Sequence, residues 1–182
     1  MERQSIIWKR DFEIGFTGLK NGIHQFNYHL DKNFFSHFES SPISESAMEA
    51  DLRFEKHNDF FLLDFAFSGT VNVSCDRCSE YFDMPLYADE SLIVKLVEFV
   101  PDNAGDEDEV IYLAKTETHL NLSQVLYELL VVNLPMHILH PEKNGKSTCD
   151  PKILKLLKNS EPGHELHQPD PRWNTLKKIK IK

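Results

Sequence analysis

Apolar and polar residues alternate over long stretches of the first hundred positions. Met48, Ala50, Leu52 and Phe54 recur at period two, with Glu49, Asp51, Arg53 and Glu55 between them. Successive side chains of a strand point to opposite faces, so this is the pattern of a half-buried antiparallel strand. His57-Asn58-Asp59 is turn material, and Phe61, Leu63, Phe65 and Phe67 then line one face of a returning strand. The two runs predict a long hairpin. Gly69 interrupts the second run, where a bulge or bend is expected, before Val71 and Val73 carry the pattern on to Cys75. An earlier strand is predicted over 22–30. Beyond Cys78 the chain reads as extended again, through Tyr81, Phe82, Met84, Leu86 and Tyr87 to Phe99. An acidic, turn-rich loop over 101–109 leads to a short strand over 110–113.

The period changes near residue 122. Leu122, Val125, Leu126 and Leu129 mark a helical stripe, widened by Leu130, Val131, Val132 and Leu134, and Pro135 ends it. Asn121 is placed to cap this helix, with Gln124 three residues on to complete a capping box. So much of its surface is apolar that packing across the sheet is the expected role. Residues 141–171 are polar and loop-like apart from a short helical turn at 153–158. Trp173, Leu176 and Ile179, three apart, predict a short amphipathic helix at the end.

The fold class is therefore α+β. We expect a mainly antiparallel β-sheet of long hairpins, with barrel-like closure as one option, one packed helix near 122–134 and a loop-rich C-terminal tail. Residues 1–140 read as a single β-rich domain with one helix, and 141–182 as a loop-rich, basic extension.

Composition narrows the class. The 182 residues are 41% hydrophobic, enough for one domain to bury a core. No apolar run reaches the roughly 18 residues of a membrane span, and the first residues lack the apolar core of a signal peptide. Three cysteines, an odd number, argue against a disulfide framework and predict a reducing cytoplasm. The net charge of −9 divides unevenly: residues 151–182 carry +5 and the remainder −14. A polyanion would be repelled by the body and attracted by the tail.

The chemistry concentrates at Cys75-Asp76-Arg77-Cys78, placed by the pattern at a turn between two strands. A redox pair would sit at a helix N-terminus, whose positive end lowers the thiol pKa. Here Ser79-Glu80-Tyr81-Phe82-Asp83-Met84 follows, with no helical stripe and added negative charge. A strand-turn-strand Cys-x-x-Cys is instead the frame of a zinc knuckle. Downstream, His140 and Cys149 complete a Cys3His set, with His137 as an alternative nitrogen ligand. Two readings stay open: one structural zinc ion on Cys75, Cys78, His140 and Cys149, or reduced structural thiols. Four protein ligands would leave no open coordination position, so such a metal would be structural. Phosphate-cradle, nucleophile-elbow and zincin motifs are missing from the sequence, and we do not expect an enzyme.

Several motifs in order carry a resemblance. They are Gly69-Thr70-Val71-Asn72-Val73-Ser74-Cys75-Asp76-Arg77-Cys78, Asp108-Glu109-Val110-Ile111-Tyr112-Leu113, Leu122 to Leu130, Leu134-Pro135-Met136, His140-Pro141 and Asp170-Pro171-Arg172-Trp173-Asn174-Thr175-Leu176. The chain resembles the YceD family, the large-subunit ribosomal RNA accumulation proteins of bacteria and plastids. Ser79 stands where that family usually has Leu. The resemblance implies a role in large-subunit ribosomal RNA accumulation and ribosome biogenesis, and no defined activity. The partners it implies are large-subunit ribosomal RNA or a basic ribosomal protein. Arg77, Arg172, Trp173, Lys177, Lys178, Lys180 and Lys182 are the contact candidates, cations for phosphates and Trp173 for stacking or packing. The rival is a protein-binding adaptor without RNA contact, whose acidic body engages a basic protein.

Overall fold

The computed structural model describes residues 8–101, 110–143 and 145–160. The chain divides into two compact units, Met1–Leu139 and His140–Lys182. Five strands form the sheet of the first unit: β2 (Gly22–Asp31), β3 (Ile43–Lys56), β4 (Phe60–Ser74), β5 (Tyr81–Val97) and β6 (Val110–Ala114). They lie in sequence order, antiparallel except for the parallel β5–β6 pair. The expected long hairpin is β3–β4, and β2 and β6 cover the predicted strands at 22–30 and 110–113. The sheet is open, with β2 and β6 at its edges, so barrel-like closure is not formed among the described residues.

Period-two patterning decides which face is buried. Met48, Ala50, Leu52 and Phe54 of β3 and Phe61, Leu63, Phe65 and Phe67 of β4 all point into one core. Helix α2 (Ser123–Val132) completes that core with Leu126 and Leu130, as the sequence expects of a packed helix. Its cap differs from the expectation. Asn121 Oδ1 does accept from Ser123 N at 3.0 Å and from Ser123 Oγ at 2.6 Å. Gln124 Nε2, however, donates to Glu128 Oε1 at 2.6 Å along the helix, so no capping box closes. An aromatic cluster at one end went unread in the sequence: Trp8, Phe12 and Phe38 gather around Phe34, which lies in helix α1 (Lys32–Phe35). A two-stranded ladder, β1 (Glu13–Ile14) with β7 (Leu120–Asn121), ties the N-terminal segment to the approach of α2.

Gly69 is not a bulge. The β3–β4 register runs unbroken through Met48↔Gly69, and its irregularity lies near the strand ends, between Ile43 and Glu45. Gly69 keeps its place in the ladder at φ +150°, where a Cβ would lie 2.2 Å from Ala47 O. The glycine permits a close approach of backbones that no side chain would tolerate. Pro85, lacking an N–H, falls in the part of β5 that β6 does not reach, since β6 pairs only with Ile93–Val97.

In the second unit, the residues expected to be loop-like hold regular structure. A hairpin joins β8 (Glu142–Lys143) to β9 (Lys146–Ser147), with Gly145 at φ +70°. Helix α3 spans Pro151–Ser160, longer than the expected turn. Asp150 Oδ1 accepts from Lys152 N at 2.8 Å, and Pro151 opens the helix, where its missing N–H costs nothing. No helix among the described residues is long and apolar enough to cross a membrane. The acidic stretch 102–109 and the predicted helix at Trp173, Leu176 and Ile179 lie outside the described residues.

Candidate metal centre

The β4–β5 connection builds the first half of the site. Ser79 N donates to Cys75 O at 2.8 Å and Cys75 N to Glu80 O at 2.9 Å, folding residues 75–80 into a tight turn. Ser79 takes φ +61°, the left-handed conformation that lets the turn feed directly into β5. Both thiols are thereby directed inward, Cys75 1% and Cys78 6% exposed. Strand, not helix, follows the pair, so the helix N-terminus of a redox pair is not formed there, as the sequence reading anticipated.

His140 and Cys149, the other two candidate ligands, flank the β8–β9 hairpin. Cys149 follows His140 by nine positions, too many for a tight turn, but β8–β9 folds the intervening chain back on itself. Thr148 Oγ1 donates to Pro141 O at 2.8 Å and clamps the base of that hairpin. Cys149 N donates to Ser147 Oγ at 3.3 Å. The outcome is a separation of 3.7 Å between Cys149 Sγ and His140 Nδ1.

One ligand atom from each of Cys75, Cys78, His140 and Cys149 lies within 4.8 Å of the other three. The four residues form a Cys3His cluster that could hold a metal ion. His137, the alternative ligand, is exposed and is not in the cluster. The donor set fits zinc. A tetrahedral ion with bonds of about 2.3 Å to sulfur and about 2.05 Å to nitrogen sets those two ligands about 3.6 Å apart, against 3.7 Å here. All three cysteines are buried, and none forms a disulfide with another. Soft thiolates with one imidazole suit borderline-soft zinc better than the hard cations that carboxylates prefer.

Asp76 adds a feature the sequence did not announce. Its N–H donates to Ile138 O at 2.8 Å, and its Oδ2 accepts from Ile138 N at 2.7 Å. Arg77 is exposed beside it, between the two thiols. Arg172, Trp173, Lys177, Lys178, Lys180 and Lys182 lie outside the described residues. A further set of cations lies inside them: Lys152, Lys155 and Lys158, spaced three apart on α3, share one exposed face.

The other face of the sheet, left uncovered by the described residues, has the opposite sign. A groove of about 660 Å³ crosses β2 to β5 there, lined by Gln25, Asn27, Asp51, Arg53, Asp64 and Asp89 among others. Arg53 donates to Asp64 at 2.8 Å and to Glu55 at 2.7 Å, and these carboxylates raise its pKa further. That cation is engaged within the face, and Asp51 and Asp89 leave the groove acidic. The alternation that buries Leu52 and Phe65 is what aligns these carboxylates on the other side.

Residues 63–180 match the family model described as Large ribosomal RNA subunit accumulation protein YceD. No curated protein and no solved structure matches the chain.

Proposed function

The chain belongs to the YceD family, and on that premise we propose a non-enzymatic factor supporting large-subunit ribosomal RNA accumulation and ribosome biogenesis. It acts by binding RNA or a ribosomal protein, with one structural zinc ion on Cys75, Cys78, His140 and Cys149. The family match over most of the chain carries the biological role. The closed donor set supports the structural assignment of the metal: four protein ligands fill a tetrahedron, leaving no position for water or substrate. When bound, zinc supplies folding free energy and holds the thiols as thiolates. Three cysteines, an odd number, suit a reducing compartment, the cytoplasm.

For RNA, the cations supply the sequence-independent attraction to phosphate. Arg77 and the α3 lysines stand exposed, and Arg172, Lys177, Lys178, Lys180 and Lys182 extend the positive charge, with Trp173 for stacking. Deleting residues 170–182 should weaken binding to large-subunit RNA or particles and flatten its salt dependence; unchanged binding would remove the tail from the interface. Metal analysis of protein purified without chelator or added zinc tests the centre. About one equivalent of zinc, lost in Cys75→Ser and Cys149→Ser alike, is the expected result, and metal-free fresh protein would dismiss it.

One observation favours a second reading, the protein-binding adaptor. The groove on the acidic sheet face presents Asp51, Asp64 and Asp89 and so repels a phosphate backbone while suiting a basic ribosomal protein. Pull-down with and without nuclease separates the two. Recovery of one ribosomal protein after nuclease treatment supports the adaptor, and loss of all partners supports RNA.

A further inference from the structure

We infer that Asp76 is a positioning residue of the Cys3His centre, holding the segment that carries the histidine ligand in register with the Cys-x-x-Cys turn. The inference rests on the metal reading above and adds to it a residue that is not itself a ligand.

Asp76 occupies the first position between the two thiols. Its backbone N–H and its carboxylate engage the two main-chain groups of a single residue, Ile138, at 2.8 and 2.7 Å. A paired contact of this kind fixes position and direction together, as a strand bridge does. Ile138 is two residues before His140, so the clamp leaves one intervening residue, Leu139, of slack before the imidazole. His137, one residue before Ile138 and equally able to bind metal, is exposed. The clamp thus decides which of two nearby histidines is presented.

What Asp76 contributes is the acceptor oxygen rather than its charge. Three thiolates and one neutral imidazole around a divalent cation carry a net negative charge, and a carboxylate beside them is repelled. Asn offers the same acceptor without that repulsion. Asp76→Ala removes the acceptor and leaves the Ile138 N–H without its partner. Groups that orient a ligand in this way are worth about 10- to 100-fold in metal affinity.

The test uses the full chain, with zinc affinity measured by chelator competition and ligand geometry read from the absorption of the cobalt-substituted protein. Asp76→Ala should weaken zinc binding about 10- to 100-fold. It should also shift the cobalt d–d bands towards those of His140→Ala. Asp76→Asn should restore wild-type affinity within about threefold, together with the wild-type bands. A loss confined to general stability would lower the melting temperature without moving the bands. The inference is overturned if Asp76→Ala keeps wild-type affinity and spectrum, if the bands stay in place despite weaker binding, or if Asp76→Asn is as impaired as Asp76→Ala. Wild-type protein that takes up neither metal would instead refute the metal reading, and this inference with it.

Discussion

Replacing Gly69 by alanine should be among the most damaging single-methyl additions in this protein. The new Cβ would lie 2.2 Å from Ala47 O, 2.9 Å from Met48 Cα and 3.0 Å from Met48 Sδ. The first two are backbone atoms in a paired strand, so neither can swing aside. The methionine sulfur alone is free to move. Two costs combine. At φ +150° an L side chain occupies a sparsely populated region worth about 1–3 kcal/mol, and forcing adjacent strands apart adds about 1–3 kcal/mol of overpacking. We expect a loss of about 4 kcal/mol, a large part of the roughly 5–15 kcal/mol that holds a domain folded. The melting temperature should fall by about 8–16 °C for a chain of this size. Urea denaturation should show a lower midpoint with an unchanged slope. Gly18→Ala is the control: its Cβ would meet nothing within 4 Å, and its effect should stay within about 0.5 kcal/mol. A Gly69→Ala loss under about 1 kcal/mol, or an equal loss at Gly18, would refute the reasoning.

Ser79 pays the conformational cost of φ +61°, about 1–2 kcal/mol. Ser79→Gly should therefore stabilise the protein by about 0.5–1 kcal/mol after the greater unfolded-state entropy of glycine is deducted; a destabilised variant in urea denaturation would contradict this. Burial pushes the Tyr28 phenol up to about 12 from its ordinary 10.0. The unfolded chain thus releases this proton first, and stability present below pH ~10 should drain away as pH rises towards ~12, by about 1–2 kcal/mol. Tyr28→Phe should flatten that alkaline fall in denaturation curves, and an unchanged slope would refute the assignment. Asp150→Ala should lose about 1 kcal/mol of α3 stability through the missing cap, seen as faster amide exchange at Lys152 and its neighbours; unaltered exchange would mean that the cap contributes nothing.

The strands were legible because each carries one buried and one wetted face. Met48 to Phe54 and Phe61 to Phe67 can satisfy that condition only as period-two ladders. Gly69 was misread because an isolated glycine marks either a bulge or a close approach, and only the partner backbone at Ala47 decides which. The hairpin and helix after residue 140 had local signals that polarity concealed: Asn144-Gly145, a turn pair, and Asp150-Pro151, a cap followed by a first-turn proline. The Cys-x-x-Cys turn was plain in the sequence, but that His140 rather than His137 joins the cluster was not, because two histidines three positions apart carry the same local signal and the Asp76–Ile138 contact nearby spans 62 positions. The acidic groove was visible only as net charge until the strand register set Asp51 and Asp89 on either side of Ala66, with Asp64 two residues along on the same face.

The Cys3His set also bears on how the second unit holds its shape. Among its described residues, Cys149 is the sole buried hydrophobic side chain, while Leu156 and Leu157 of α3 are 61% and 45% exposed. A unit this short, whose described residues bury so little apolar surface, falls in the size range where small folds rely on a staple. Structural zinc supplies about 10–16 kcal/mol in comparable small folds, more than any packing these residues display. Two of the four ligands, His140 and Cys149, bracket the β8–β9 hairpin, and Cys149 comes two residues before the first residue of α3. A metal on those ligands would therefore fix the start of the helix that presents Lys152, Lys155 and Lys158. Zinc occupancy and attraction for phosphate would then be coupled through one short stretch of chain.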